Sequence, residues 1–174
     1  MATLETKMKT LIPLLFFGLL TLNCLAMKVD KNQTYKTIDT TEIKQQLSVS
    51  LTFQKNDAEE AMNFYVSLFE NSKVFDIHRW GKEGPGKEGT IMMATFELNG
   101  MRFICSDSPP VHDWDFSPAV SIYFECESEE EIERLFSKLS ENGAVAMPLN
   151  NYGFSQKFGW VVDRFGVSWQ LNLY

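Results

Sequence analysis

Residues 47 to 174 predict an α+β fold built from two consecutive strand-helix-strand-strand-strand modules. Three observations carry this expectation. A half-apolar strand runs directly into an amphipathic helix twice, once after residue 47 and again after residue 118. Each helix is followed by three further strand-like runs. Tight-turn signals, Asn99-Gly100 and Arg164-Phe165-Gly166, join neighbouring runs within each half.

In the first module, about residues 47 to 108, "LSVSLTF" places Val49, Leu51 and Phe53 on one face and Ser48, Ser50 and Thr52 on the other. The stretch "NDAEEAMNFYVSLFE" then repeats Ala58, Ala61, Met62, Tyr65, Leu68 and Phe69 at helical spacing. Asn56 or Asp57 is the expected cap, with Glu59 and Glu60 in the favourable first turn. "KVFDIHRW" reads as a strand and "GKEGPGKEG" as an irregular link. That link lacks the Lys-Ser or Lys-Thr ending of a phosphate loop. "TIMMATFELNGMRFICSDS" reads as a hairpin turning at Asn99-Gly100.

The second module, about residues 117 to 174, opens with "PAVSIYFECE" as a strand. In "SEEEIERLFSKLSENG", Ser128 caps a helix, Glu131 holds the capping-box position, and Ile132, Leu135, Phe136 and Leu139 form the apolar stripe. Gly143 is the expected stop. "AVAMPLN", "KFGWVVD" and "VSWQLNL" supply the last three strands. The matching order of the halves implies an internal structural duplication whose residues have diverged.

The first 26 residues differ in kind. Lys7 and Lys9 precede the run "LIPLLFFGLLTLNCLA", whose length suits the apolar core of an export signal and is short for a membrane span. Cleavage is expected before Met27, so the chain is read as exported, periplasmic or secreted. Three alternatives stand beside this: lipidation at Cys24, opposed by Asn23 where a small residue is usual, an uncleaved N-terminal membrane anchor, and an apolar tail that is simply tolerated. Residues 27 to 46 are polar and aperiodic, and read as a flexible spacer. The formal charge of -7 argues against nucleic acid or anionic membrane as partner. Cys105 and Cys126 lie in apolar strand-like runs and read as buried thiols, with a disulfide possible only on close approach.

Three segments together carry a resemblance to a known family: "AEEAMNFYVSLFENSKV", "GPGKEGTIMMATFELNGMRF" and "GWVVDRFGVSWQL". In that order and spacing, the chain resembles the PhnB-like branch of the vicinal oxygen chelate superfamily, relatives of glyoxalase I and bleomycin-resistance proteins, over about residues 47 to 173. The resemblance implies curved mixed sheets enclosing a cleft, and a homodimer. Some members carry a 3-demethylubiquinone 3-methyltransferase label. The glycine-rich fold of a methyl-donor enzyme is not visible in this sequence, so the label is weak as a statement of chemistry.

A helix covers one face of its sheet, so the cleft is expected on the other. The helix-side layer is then Val49, Leu51 and Phe53; Met101, Phe103 and Cys105; Val120, Ile122 and Phe124; Val167, Trp169, Leu171 and Leu173. The cleft wall alternates with it: Ser48, Ser50, Thr52, Arg102, Ile104, Ser106, Ala119, Ser121, Tyr123, Ser168, Gln170 and Asn172. Metal-dependent relatives carry His, Glu or Gln at one inward position on each of four strands. The resemblance places those positions at Ser48, Ile104, Ala119 and Gln170, of which only Gln170 is of a type that these relatives use. No metal and no other cofactor is therefore expected.

The candidate ligand-binding residues are Tyr123, Trp160, Arg102, Gln170, Ser168, Asn172 and Ser121. Gln170 offers hydrogen bonds but no usable proton, so it either orients a ligand or satisfies the wall around it. Arg102 either forks onto an anionic group or bridges to Glu97 or Glu125. His78 reads as a strand or interface residue. His112, with Asp113 and Asp115, reads as part of a solvated loop rather than a base or metal cluster. No residue is assigned a catalytic role. The leading expectation is a metal-free binder of a small polar or aromatic ligand. The alternatives are a cleft enzyme acting by acid-base or orientation catalysis without a metal, and a structural or interaction protein with a non-functional cleft.

Overall fold

The computed structural model describes residues 47–109 and 111–174. The expected export signal (residues 1 to 26) and flexible spacer (residues 27 to 46) lie outside the described residues. The first module comprises β1 (Val49–Phe53), α1 (Ala58–Leu68), β2 (Lys73–Arg79), β3 (Ile91–Leu98) and β4 (Met101–Asp107). The second comprises β5 (Ile122–Glu125), α2 (Glu129–Ser140), β6 (Ala144–Asn150), β7 (Lys157–Val162) and β8 (Ser168–Leu173). Each forms a four-stranded mixed sheet, ordered β1-β4-β3-β2 and β5-β8-β7-β6. In each, the first strand joins the last in parallel and the remaining pairs are antiparallel. The duplicated βαβββ order is thus present in the backbone pairing.

Both helices bury the stripe that their spacing requires. Ala58, Ala61, Met62, Tyr65 and Leu68 are buried on α1, and Ile132, Leu135 and Leu139 on α2. Cys105 faces α1, because its Sγ lies 3.9 Å from the Ala58 carbonyl. Gly159 faces α2, where a Cβ would meet the Phe136 ring. Trp169 is 1% exposed and its indole stacks on Phe69, beside the end of α1. Phe69 also meets Phe124 edge-on at 5.0 Å, and Phe165 packs against both Phe53 and Tyr65. The halves therefore share one aromatic core, in which each buried ring contributes about 1.5–3 kcal/mol.

Local details depart from the sequence expectation at four places. Neither Asn56 nor Asp57 caps α1 through its side chain: Asp57 occupies the cap position without such a bond, and Asp107 at the end of β4 accepts from Ala58 N at 3.0 Å. The same carboxylate accepts from Ile91 N at 2.8 Å, tying β3, β4 and α1 together. Ser128 does cap α2, accepting from Glu131 N, while Glu131 reaches back to Glu127 N. Gly143 is not the left-handed residue after α2; Asn142 takes φ 58°. Gly143 is needed because a Cβ there would overlap the Val162 carbonyl oxygen.

The strand expected from residue 118 begins only at Ile122. Ser117 holds the preceding residues in a turn, its carbonyl accepting from Val120 N and its Oγ from Ala119 N. Val120 consequently leaves the helix-side layer and is 78% exposed. Met101 also leaves that layer, at 45% exposure, because it opens β4 immediately after the hairpin turn. The remaining face assignments stand: Phe103, Cys105, Trp169, Leu171 and Leu173 are buried toward the helices. Cys105 and Cys126 are free, buried thiols, both pushed up to about 12, chiefly by burial.

Candidate functional site

The face of the second sheet that points away from α2 is laid out by strand register. Tyr123, Gln170 and Trp160 stand side by side across β5, β8 and β7. In the next row, Asn172 lies between Glu125 and Phe158. At the opposite end of β8, Ser168 joins two partners: Trp160 Nε1 donates to its Oγ at 2.8 Å, and Ser121 Oγ lies 2.7 Å from it. Five of the seven candidate residues thus share one face of one sheet, and a sixth, Ser121, stands just before β5 and meets that face at Ser168. The seventh, Arg102, belongs to β4 in the other sheet, across the strand pair from Glu97 and 5.2 Å from the Phe75 ring centroid.

An open pocket of about 310 Å³ lies along the neighbouring edges β1 and β5. Its polar lining is mostly hydroxyl, from Ser50, Thr52, Ser117, Ser121 and Ser168. Val49, Leu51, Ile122 and Val167 provide apolar wall, and Trp114 and Phe116 come from the loop before β5. These two aromatic residues were not singled out by the sequence. A loop of proline, acid and aromatic residues reads as solvated until the fold lays it against β1. Tyr123 lines a different, smaller pocket of about 180 Å³ with Phe69, Met101 and Phe103, and Arg102 lines a third with Leu47 and Phe75.

The candidate side chains on this face, Ser121, Tyr123, Trp160, Ser168, Gln170 and Asn172, are hydrogen-bonding groups without formal charge. Tyr123 is pushed up to about 12 by partial burial and by its hydrogen bond with Tyr174. Asn172 is fully buried, and neither polar atom of its amide has a hydrogen-bond partner. His78 is paired with Asp76 at 2.8 Å on β2, and His112 stacks on Trp114 with ring centroids 4.7 Å apart.

The positions at which the resemblance places the ligands of metal-dependent relatives, Ser48, Ile104, Ala119 and Gln170, do not all fall on strands. Ser48 precedes β1, and Ala119 lies in the turn before β5. Beside Ile104 the β1 residue is Ser50, and beside Gln170 the β5 residue is Tyr123. A hydroxyl, an alkyl chain, a phenol and an amide do not make a divalent-metal site. Among the described residues, no group of three or more His, Cys, Asp or Glu side chains is arranged to hold a metal ion.

Comparison with known proteins agrees with this architecture. The family described as 3-demethylubiquinone-9 3-methyltransferase matches residues 45–172. A solved structure described as a putative 3-demethylubiquinone-9 3-methyltransferase, PhnB protein, from Bacillus cereus is 53% identical, with TM-score 0.72 over 75% of this chain and all of that one. Protein PA1353 from Pseudomonas aeruginosa is 28% identical, with TM-score 0.66 over 75% of this chain and 98% of the other. Protein YjdN of Escherichia coli K12 is 29% identical over 83 residues, which span 48% of this chain and 56% of YjdN.

Proposed function

We propose that this chain, which belongs to the 3-demethylubiquinone-9 3-methyltransferase family and to the PhnB-like branch of the vicinal oxygen chelate fold, binds a small organic molecule without using a metal. The observation that carries the reading is the hydroxyl-lined pocket between β1 and β5, backed by Ser121, Ser168 and Trp160. Its volume is at the lower end of small-molecule sites, and its mix of apolar wall with a few directed polar groups is their usual chemistry.

Methyl transfer is not part of this reading. The glycine-rich stretch at residues 81 to 89 packs on a side chain instead of presenting backbone to a nucleotide: Gly84 and Gly86 lie against the Trp80 indole. Acid-base catalysis receives no support from the pocket: among the described residues its only ionisable lining side chain is Asp115, which accepts from Phe116 N and lies 3.5 Å from Lys55 Nζ. We further propose that the chain is exported and pairs as a homodimer. The apolar run after Lys7 and Lys9 supports the first, and the half-exposed Phe75, Met93 and Trp114 support the second.

Native mass spectrometry of the gently purified chain tests these proposals together. The expected result is a dimer of chains cleaved before Met27 that retains a small organic molecule and no metal. Stoichiometric zinc, nickel or iron would overturn the metal-free reading. Ligand-free protein, joined to a lack of thermal stabilisation by any small molecule screened, would overturn binding.

A further inference from the structure

The hydrogen bonds behind the pocket have a direction, and the direction specifies a ligand. An indole N–H can only donate. Trp160 Nε1 donates to Ser168 Oγ at 2.8 Å, so the Ser168 oxygen has one lone pair engaged. Ser168 is 2% exposed, and its own proton needs an acceptor. Ser121 Oγ, at 2.7 Å, is the acceptor within reach. If Ser121 donated to Ser168 instead, the Ser168 proton would have no acceptor among the described residues, at a cost comparable to a lost hydrogen bond.

The relay therefore runs from Trp160 through Ser168 to Ser121, and each bond polarises the next. It ends in the Ser121 O–H. That hydroxyl meets the Pro118 carbonyl at 3.4 Å, long for an O–H···O bond, whose usual distance is about 2.7–2.8 Å. Ser121 lines the pocket and is half-buried, so its proton is readily redirected to a bound acceptor. The rest of the lining limits what carries that acceptor. Val49, Leu51, Ile122, Val167 and Phe116 call for an apolar body. Among the described lining residues there is no Lys or Arg, and the Asp115 carboxylate already takes the nearby Lys55 at 3.5 Å, so the lining offers no cation to offset a buried anionic group.

We propose that Ser121 donates the anchoring hydrogen bond to the carbonyl oxygen of a small, uncharged, largely apolar molecule held in this pocket. The proposal rests on the binding function above and adds to it the anchoring residue and the ligand class. It replaces the expectation of an anionic ligand held by Arg102, which lines a separate pocket on the other sheet.

The test uses the full chain with 15N-labelled tryptophan, titrated with acetophenone and with α-methylstyrene, which has the same shape without the carbonyl. The Trp160 indole signal is identified by its loss in Trp160→Phe. Acetophenone is expected to shift that signal saturably and to bind about three- to tenfold more tightly than α-methylstyrene, the yield of one net hydrogen bond. Ser121→Ala should abolish the difference between the probes, and Ser121→Thr, which keeps the hydroxyl, should restore it. Equal affinity of the two probes in the wild type would overturn the anchor while leaving small-molecule binding intact. Failure of both probes to bind would overturn the ligand class, and the retained-molecule measurement would then judge the binding function separately. Should Ser121→Ala not fold, the comparison of probes in the wild-type chain decides alone.

Discussion

Asn172 and Asp163 show two outcomes for a buried polar side chain. The Asn172 amide is enclosed on β8 with neither atom bonded, a condition that costs about 1–3 kcal/mol for each unsatisfied group. Asn172→Val, apolar, β-branched and closer to Asn in volume than Leu is, is therefore expected to raise unfolding stability by about 1–2 kcal/mol, read by urea denaturation. A loss of stability would mean that the amide has a partner in solution, such as a bound water. Asp163 is enclosed with four donors: Tyr65 Oη at 2.7 Å, Trp169 Nε1 and Phe165 N at 2.9 Å, and Val167 N at 3.0 Å. Burial raises its carboxyl above the usual value of 3.8, and the hydrogen bonds oppose that shift. With the folded value above the unfolded one, the stability that Asp163 contributes is fully present below pH 3.8 and is lost as pH rises through the folded value. Asp163→Asn loses acceptor capacity at every pH. The prediction concerns slope: the stability advantage of wild type over Asp163→Asn should be greatest at the acid end and shrink as pH rises. A gap that widened with pH would reverse the assigned shift.

At the scale of elements, the ends of the two helices reveal the duplication better than their interiors do. Glu70-Asn71 and Glu141-Asn142 both follow a helix, and each Asn takes a left-handed backbone, φ 50° and 58°. This shared pair went unread because the sequence assigned the second stop to Gly143, the residue that most often adopts that conformation. Gly143 instead permits close approach to the Val162 carbonyl. Gly143→Ala is accordingly expected to cost about 1–3 kcal/mol in chemical denaturation, as overpacking against rigid backbone does. No measurable loss would show that β7 gives way easily. The helices and most strands were legible because their apolar periodicity is local. The α1 cap was not, since Asp107 lies 49 residues along the chain from Ala58, the N–H that it caps. The start of β5 was also misread: alternation continues through Ala119 and Val120, but Ser117 bonds their backbone into a turn.

At the scale of the molecule, the two sheets, two helices and shared aromatic core of the described residues leave the helix-opposite faces available for function. Because the four positions Ser50, Ile104, Tyr123 and Gln170 do not form a metal-binding set, prolonged dialysis against a chelator should leave the melting temperature unchanged. A fall reversed by zinc or nickel would reveal a site supplied in some other way. Face alternation along each strand identified Ser121, Tyr123, Ser168, Gln170 and Asn172 from the sequence, because a strand's period of two is a property of neighbouring residues. Which of those side chains bond to one another was not accessible in that way. Trp160 reaches Ser168, Ser168 reaches Ser121, and the loop carrying Trp114 and Phe116 completes the pocket only after distant strands have been brought together. Local spacing and residue type were enough to set the order of elements and the buried faces, and they left Gln170 as the one side chain of a metal-binding type at the four positions that the family resemblance marks. Tertiary structure alone decided the caps, the unbonded Asn172 and the direction of the hydrogen-bond relay, because each depends on distances between residues far apart in the chain.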